Sequence, residues 1–205
     1  ISLKINIFTG DKLLVDYCGQ KLQIVDKSTG EIQDVEVFVG ILPCSSYTYV
    51  EASLSQRRED FINSVNNCFS FLGGSTKAIV PDNLKSAVSK ASKYEPILNK
   101  TLKDLALHYG CAINPTRSYS PQDKAMVEGA VKLVYQRIYF PLRNMTFFSL
   151  DELNAQLRIE LEKYNAYLME TYQASRRKLF VDLEQQYLQP LPSEPYQIKH
   201  YKRAK

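Results

Sequence analysis

A short apolar run that ends in a proline and an acid is the feature that most constrains this chain. Residues 78–80 (Ala-Ile-Val) precede Pro81 and Asp82, and apolar residues then follow at 84, 87 and 88. This pattern predicts a buried strand whose carboxyl end delivers Asp82 to a sheet edge, with a helix starting directly after it. Sites in open α/β sheets are built at such strand ends. The alternative is that Asp82 only caps the following helix, because Asp and Asn are good N-caps.

The composition is that of a globular protein. The chain has 205 residues, of which 44% are hydrophobic and 23% are charged. This length allows one large domain, or one domain with an appendage. The sequence has no signal peptide and no apolar run long enough for a membrane span, so we expect a cytoplasmic protein with no membrane partner. The net charge of +4 fits a nucleic-acid partner without requiring one. Because the first residue is not Met, we expect a fragment of a longer protein.

The cysteines and histidines do not form a metal-binding pattern. The four cysteines are far apart, no CxxC pair occurs, and there are two histidines. We therefore expect reduced cysteines and no zinc site. A nucleophile pair of Cys111 with His108 is an alternative for which the sequence offers little support.

The order of strand and helix patterns predicts an α/β fold. Alternating or continuous apolar segments indicate three antiparallel strands, and helical spacing then alternates with two further short strands. This order is typical of a ribonuclease-H-like fold, with a mixed five-stranded sheet flanked by helices. The predicted strands cover 12–16 with its continuation 22–25, then 35–41, 47–51, 78–80 and 111–114, and the predicted helices cover 61–72 and 98–106.

The C-terminal half of the chain is predicted to be helical. A strong helix runs from about Gln122 to Tyr139 and is expected to stop at Pro141. A capping box at 149–152 starts another helix, and a shorter one is expected over 176–187. A segment with three prolines follows. The predicted organisation is a catalytic core over 1–145, a C-terminal helical extension over 146–189 and an extended linker toward a missing domain over 190–205.

Three acids have positions that the predicted fold would bring together. Asp16 ends the first strand, Asp82 ends the fourth, and Glu128 lies on the long helix beside its apolar stripe. Converging carboxylates repel each other unless a cation lies among them. Oxygen ligands suit Mg²⁺ or Mn²⁺, and two such ions would serve phosphoryl transfer. The alternatives are that Asp16 is a surface acid and that Glu128 pairs with Lys124 and Lys132 on its own helix.

At these residues the chain resembles transposases of the DDE type, in the retroviral-integrase-like superfamily. Within that class it is similar to the IstA type of insertion-sequence transposase, which works with a separate AAA+ ATPase helper. The resemblance spans nearly the whole chain, and the string P-D-N-L-K-S-A-V is its most specific part. The matching segments are 14–19 (LVDYCG), 80–88 (VPDNLKSAV), 120–128 (SPQDKAMVE), 175–180 (SRRKLF) and 191–196 (LPSEPY).

The resemblance implies an activity and a catalytic triad. Asp16, Asp82 and Glu128 would bind two Mg²⁺ or Mn²⁺ ions per active site, and the 46 positions between Asp82 and Glu128 would include an insertion around 89–99. The implied function is 3′-end cleavage of transposon DNA followed by strand transfer. The implied partners are transposon-end and target DNA, further copies of the protein, and the AAA+ helper. Because the family's helix-turn-helix region and β-barrel are not in this sequence, the resemblance does not imply that the fragment is active alone.

Two other functions remain open at this point. A ribonuclease-H-like nuclease would cleave DNA without joining it, and a DNA-binding or assembly module would carry vestigial acids. Basic and amide side chains near the acids are candidates for phosphate contact, although solvated surface lysines are common. The candidate DNA-binding residues are Lys85, Lys124, Asn83, Arg117 and Lys132.

Overall fold

The computed structural model describes residues 9–81, 88–90, 97–98, 100–113 and 121–198, with the backbone alone for 88–90, 97–98 and 121–124. The strands are β1 (Lys12–Tyr17), β2 (Leu22–Val25), β3 (Ile32–Ile41), β4 (Thr48–Ser53), β5 (Ala78–Pro81), β6 (Val88–Lys90), β7 (Ile97–Leu98), β8 (Ala112–Ile113), β9 (Leu168–Met169) and β10 (Ala174–Ser175). The α-helices are α1 (Arg58–Leu72), α2 (Lys100–His108), α3 (Pro121–Val134), α4 (Phe140–Leu142), α5 (Leu150–Ala166) and α6 (Arg176–Leu179). Within these ranges, no helix is both long and apolar enough to cross a membrane.

A mixed sheet with β1 near its centre organises the described part of the chain. Strands follow the order β2-β3-β1-β5-β8, and β4 pairs with the other side of β3. β1 is antiparallel to β3 and parallel to β5, with Val15 opposite Pro81. The predicted ribonuclease-H-like sheet is confirmed. The sheet has six strands rather than the predicted five. The first predicted strand is interrupted after Tyr17, and its continuation β2 pairs as a separate strand with the N-terminal part of β3.

Helices pack on both faces of this sheet. On one face, Leu13 and Val15 join a large core that includes Phe61 and Phe69 of α1. On the other face, a smaller cluster holds α3 against the sheet. Burying each of its larger apolar side chains stabilises the fold by about 1.5–3 kcal/mol. The cluster consists of Leu14, Ile41, Ala78, Val80, Val127 and Ala130.

Asparagine side chains of α5 pair with the edge strand β4. The Asn154 amide accepts from the backbone N–H of Ala52 at 2.7 Å and donates to its carbonyl at 3.0 Å. Asn165 makes the same pair of bonds with Thr48, at 3.2 and 2.8 Å. A bare edge strand is prone to pair with other chains, so this arrangement protects the sheet. The predicted cap is also confirmed, since the Ser149 hydroxyl accepts from the Glu152 N–H at 3.1 Å.

Two predicted helix boundaries are wrong. The long helix that begins as α3 was predicted to end before Pro141. It continues instead through a π-helical segment over Tyr135–Tyr139 into the short helix α4. Pro141 lies at the start of α4, and the helix continues to Leu142 although Pro141 has no N–H to donate to the preceding turn. The helix expected directly after Asp82 does not include Val88, which pairs with Leu98 in a separate hairpin of β6 and β7. A few apolar residues at helical spacing are too weak a signal there.

The segment that follows α6 packs against the core. It continues as π-helix over Phe180–Glu184 and as 3-10 helix over Gln185–Tyr187. The backbones of Ser75 and Gln189 then exchange hydrogen bonds at 2.9 and 2.8 Å. Gly74 leaves room for this contact, because a Cβ there would lie 2.6 Å from the Leu188 Cβ and 2.9 Å from the Gln189 carbonyl oxygen.

We predict that Gly74→Ala lowers the free energy of unfolding by about 1–3 kcal/mol, because the added methyl group overpacks this contact. Urea unfolding followed by circular dichroism measures the change. The control is Gly129→Ala on α3, where a Cβ meets nothing within 4 Å. That variant should be unchanged or up to about 1 kcal/mol more stable. Equal stability of the two variants would contradict the described packing of residues 188–189.

Candidate active site

Asp16 lies near the carboxyl end of β1, on the face of the sheet that α3 covers. It is two residues after Leu14, and side chains two apart on a strand share a face. Leu14 packs in the same cluster as Val127 of α3. The Asp16 side chain is half-buried, and its Oδ1 accepts from the backbone N–H of Tyr17 at 2.8 Å. A carboxylate is therefore held at the strand end beneath the helix.

Glu128 follows the buried Val127 and is itself exposed at the margin of the α3–sheet contact. Glu128 and Tyr135 are seven positions apart, so they lie on one stripe of the helix. The Tyr135 hydroxyl accepts a hydrogen bond from the backbone N–H of Gln20, close beyond the end of β1. Burial, and to a smaller extent the charge of Asp16, raises the pKa of Tyr135. The stripe that carries Glu128 thus runs along the side of the helix that reaches the end of β1.

Several predicted site residues lie outside the described part of the chain. Asp82 is the residue after Pro81, where the description of β5 stops. Among the described residues, no group of three His, Cys, Asp or Glu side chains is placed to hold a metal ion. One member of the predicted triad, Asp82, is not among these described residues. The other predicted residues outside the described ranges are Asn83, Lys85 and Arg117.

The two remaining candidates for DNA contact lie on α3. Lys132 is exposed one turn after Glu128. The backbone of Lys124 lies one turn before Glu128, and its side chain is not among those described. Positions four apart are neighbours on a helix surface. The helix therefore spaces these two candidates along the strip that contains Glu128.

Two tyrosines and a cysteine line the site beside Asp16, and the sequence analysis did not predict them. Tyr135 and Tyr139 lie on the π-helical segment with ring centroids 4.9 Å apart. Burial raises the pKa of the Cys18 thiol to about 11 and also raises the pKa of Tyr139. All three groups stay neutral near pH 7, so carboxylates carry the negative charge of this region. The sequence did contain a signal for the two tyrosines, because aromatic residues four positions apart are neighbours on one side of a helix.

The cysteine–histidine nucleophile pair receives no support from the structure. Cys111 is half-buried, and burial raises the pKa of its thiol to about 11, far from a reactive thiolate. The His108 ring packs edge-on against Tyr109 and Tyr196, and its Nε2 lies 3.0 Å from the Glu194 carbonyl oxygen. His108 therefore helps to hold the C-terminal segment. All four cysteines are free.

Comparison with known proteins finds relatives along nearly the whole chain. A Sinorhizobium fredii protein named as a transposase (y4bL/y4kJ/y4tB) is 43% identical over 196 residues, which are 96% of this chain and 38% of that protein. A Pseudomonas fluorescens protein named as the transposase for insertion sequence IS1162 is 37% identical over 196 residues, covering 96% of this chain and 35% of that protein. Over nearly its whole length, the chain is similar to insertion-sequence transposases. The transposase for insertion sequence element IS21 of Pseudomonas aeruginosa is 28% identical over 84% of this chain and 44% of its own length.

The chain spans between a third and two fifths of the length of the first two relatives, at 38% and 35%. No family model matches the chain. Among solved structures, the catalytic core domain of BIV integrase superimposes with a TM-score of 0.59 at 11% identity, covering 82% of this chain and 93% of that one. The HTLV-2 integrase catalytic core domain in complex with magnesium gives 0.59 at 12% identity, covering 85% and 98%. These likenesses concern the fold that carries Asp16 and Glu128.

We predict that the Cys18 thiol makes the stability of this chain fall at alkaline pH. The folded-state pKa of about 11 lies above the ordinary cysteine pKa of 9.0. Between these values the unfolded chain releases a proton that the folded chain keeps, so the free energy of unfolding decreases as pH rises. The stability difference between wild type and Cys18→Ala should therefore shrink by about 2 kcal/mol from pH 8 to pH 11.

Urea unfolding at several pH values measures this difference, and the titration of lysines and of tyrosines away from Cys18 affects both proteins alike. Cys44→Ala is the matched control, because the Cys44 thiol is half-buried and its pKa is raised less. A constant difference for Cys18→Ala across the range would contradict a buried, protonated thiol beside Asp16.

Proposed function

We propose that this chain is the catalytic core of a DNA transposase that cleaves transposon ends and transfers them to target DNA. The observation that carries the proposal is the parallel pairing of β1 with β5. Their described register ends with Val15 opposite Pro81, and the next residues in sequence are Asp16 and Asp82. Consecutive Cα atoms are 3.8 Å apart, and neighbouring strands are about 4.8 Å apart. We therefore propose that Asp82, the residue after Pro81, acts together with Asp16.

The packing of α3 supports adding Glu128 as the third acid. Val127 is anchored against Leu14 and Val80, which precede Asp16 and Asp82 by two residues each. The stripe that contains Glu128 continues to Tyr135, whose hydroxyl reaches the loop after β1. The same helix thus bridges the ends of both strands. This arrangement of three acids on two strands and one helix is the one that the family resemblance implies.

The donor chemistry of these residues fits Mg²⁺ or Mn²⁺. The proposed ligands are carboxylate oxygens, which suit hard divalent cations. The nearby Cys18 thiol is protonated and the described surroundings of Asp16 supply no histidine ligand, so a softer metal gains little here. A pair of bound ions would activate the attacking oxygen and stabilise the leaving oxygen of a phosphodiester. Asp16 would hold its carboxylate rigidly, since the Tyr17 N–H fixes it, while the exposed Glu128 can adjust.

Partners are part of the same proposal. Transposon-end DNA and target DNA are the substrates, and Lys132, Lys124, Lys85, Asn83 and Arg117 are proposed to contact phosphates. We also propose a homo-oligomer and an AAA+ ATPase helper for the full-length protein, as the resemblance implies. The HTLV-2 integrase core, a structural neighbour, has been solved in a dimeric and in a trimeric form. A cytoplasmic location agrees with a DNA substrate and with four free cysteines.

We predict that Asp16→Asn, Asp82→Asn and Glu128→Gln each reduce strand transfer by the full-length protein at least 100-fold. The reasoning is that changes to groups around metal ligands already cost about 10–100-fold, so loss of a ligand should cost more. The measurement is joining of a labelled transposon end to target DNA with Mg²⁺. The matched controls are Asp34→Asn on β3 and Glu162→Gln on α5, which replace exposed acids away from the site.

The same assay separates the alternatives. Strand transfer that survives in a folded Asp16→Asn or Glu128→Gln variant would contradict the proposal. Metal-dependent cleavage by wild type without any joining would identify a nuclease of the same fold. Equal behaviour of wild type and all three acid variants in every metal-dependent assay would identify a non-catalytic DNA-binding or assembly module.

We predict that Lys132→Ala weakens duplex DNA binding in a salt-dependent manner. Each neutralised phosphate contributes about 0.9 to the slope of log affinity against log salt concentration, because bound counterions are released. The slope for Lys132→Ala should therefore be smaller by about 1. Fluorescence anisotropy at 50–200 mM salt measures the slope. Lys178→Ala, whose amine pairs with Asp182 at 2.7 Å, is the control. Identical slopes for both variants would remove Lys132 from the DNA contact.

A further inference from the structure

A pocket of about 300 Å³ lies between the end of α3, the C-terminal half of α5 and the start of α6. We call it the Arg176 pocket. Its charged lining residues are Arg137, Glu160, Lys163 and Arg176, with two tyrosines beside them. Arg176 belongs to the segment 175–180, which resembles the transposase family but has no part in the proposed acid site. The pocket therefore needs an explanation of its own.

Arg176 is a buried cation with no anionic partner among the residues that the structure describes. It is 6% exposed, and one terminal nitrogen donates to the Tyr164 carbonyl at 3.3 Å. Its Nε is buried and has no hydrogen-bond partner. In the described ranges the neighbouring cations are paired, Arg177 with Glu162 and Lys178 with Asp182, whereas no ion pair includes Arg176. Unpaired buried charge is costly, so an unsatisfied guanidinium in a pocket wall indicates a place for an anion.

The net charge of the pocket lining also favours an anionic ligand. Glu160 is 6% exposed and its Oε1 accepts from the Lys163 amine at 2.8 Å, so these two charges cancel. Arg137 forms no described ion pair and instead lies over the Tyr167 ring, with 4.7 Å from its guanidinium carbon to the ring centroid. The lining thus carries an excess of two positive charges, on Arg137 and Arg176.

Aromatic rings accompany both unpaired arginines. The Arg176 guanidinium stacks on Tyr164 at 4.0 Å, and the Arg137 guanidinium stacks on Tyr167. Tyr167 remains 49% exposed, so part of its ring is open to a ligand. A flat ring beside a cationic group suits a nucleotide, which combines a base that stacks with a phosphate that pairs. Both rings already support the arginines, so the open part of the Tyr167 ring is the feature that favours a nucleotide over an acidic protein side chain.

The position of the pocket allows a strand to reach it from the acid site. Arg137 follows Glu128 by nine residues on one continuous helical segment. Nine residues rise by about 13 Å, about four nucleotide steps at 3.4 Å, and make about two and a half turns, so the two side chains start from nearly opposite sides of the helix. A strand that reaches both residues must therefore pass around the helix. We propose that the Arg176 pocket binds an unpaired nucleotide of the DNA substrate, with its phosphate against Arg137 and Arg176 and its base on Tyr167. This inference rests on the proposed function, since it extends the DNA path from the acid site.

The test is binding of a short single-stranded oligonucleotide to the 205-residue chain in EDTA, so that metal plays no part. We expect Arg137→Ala and Tyr167→Ala each to weaken binding about tenfold, the size of effect seen when a stacked base loses its aromatic partner. Both residues are exposed, so these variants should fold. The matched controls are Arg143→Ala, whose guanidinium stacks on Phe140 outside the pocket, and Tyr172→Ala, whose ring is 52% exposed. Both controls should bind within twofold of wild type.

A second readout locates the contact directly. An oligonucleotide with one 5-iodouracil should photo-crosslink to Tyr167, and mass spectrometry of the tryptic peptides would show it. Cross-links that avoid Tyr167, or pocket variants that bind as the controls do, would overturn the proposal. If Arg137→Ala loses binding to a glutamate-rich peptide while its oligonucleotide affinity is unchanged, the pocket serves an acidic protein segment and the proposal is also overturned.

The two proposals can fail separately. Strand transfer that survives Asp16→Asn would remove the proposed function and leave a measured pocket contact standing. Normal oligonucleotide affinity in Arg137→Ala and Tyr167→Ala, together with loss of strand transfer in Asp16→Asn, would remove the pocket and leave the function standing.

Discussion

The parallel pairing of β1 with β5 positions the rest of the structure. These strands are far apart in sequence, since β2, β3, β4 and α1 lie between them along the chain. Their apolar side chains on the opposite face form the surface on which α3 packs. One hydrophobic contact therefore sets the relation between two strand ends and a helix. In sequence, Asp16 follows Val15 and Asp82 follows Pro81, so both proposed acids come directly after the paired residues that end the register of these strands.

Polar side chains form hydrogen bonds with backbone groups at the free edge of β4 and in the turn after β3. Asn154 and Asn165 occupy the free edge of β4. The fully buried Glu184 accepts from the backbone N–H groups of Cys44 and Ser45, at 3.2 and 2.9 Å. Burial raises the pKa of Glu184, and these hydrogen bonds oppose the rise. These bonds, with the buried face of α5, make residues 150–187 part of the structural core around β4.

Sequence patterns predicted the sheet well because each strand has a continuous or alternating apolar run. The neighbouring first and fourth strands, the Ser149 cap and the long helix of Glu128 followed from such local signals. The π-helical segment and α4 did not, because a proline within a helical pattern normally marks its end. The pair Tyr135 and Tyr139 depends on that unpredicted continuation. The Arg176 pocket could not be foreseen, since it joins α3, α5 and α6 through tertiary packing.

The π-helical segment also has a consequence for rotation about the helix axis. An α-helical residue advances by about 100°. In the segment Tyr135–Tyr139 the Phe140 N–H bonds to the Tyr135 carbonyl, so one residue more than in an α-turn is used. If these same residues formed a regular α-helix, the extra residue would turn those after it, such as Leu142, by about 100° about the axis relative to Val127 and out of the core. The apolar residues before and after the widened turn therefore face different directions, and the turn allows both sets to pack against the rest of the protein.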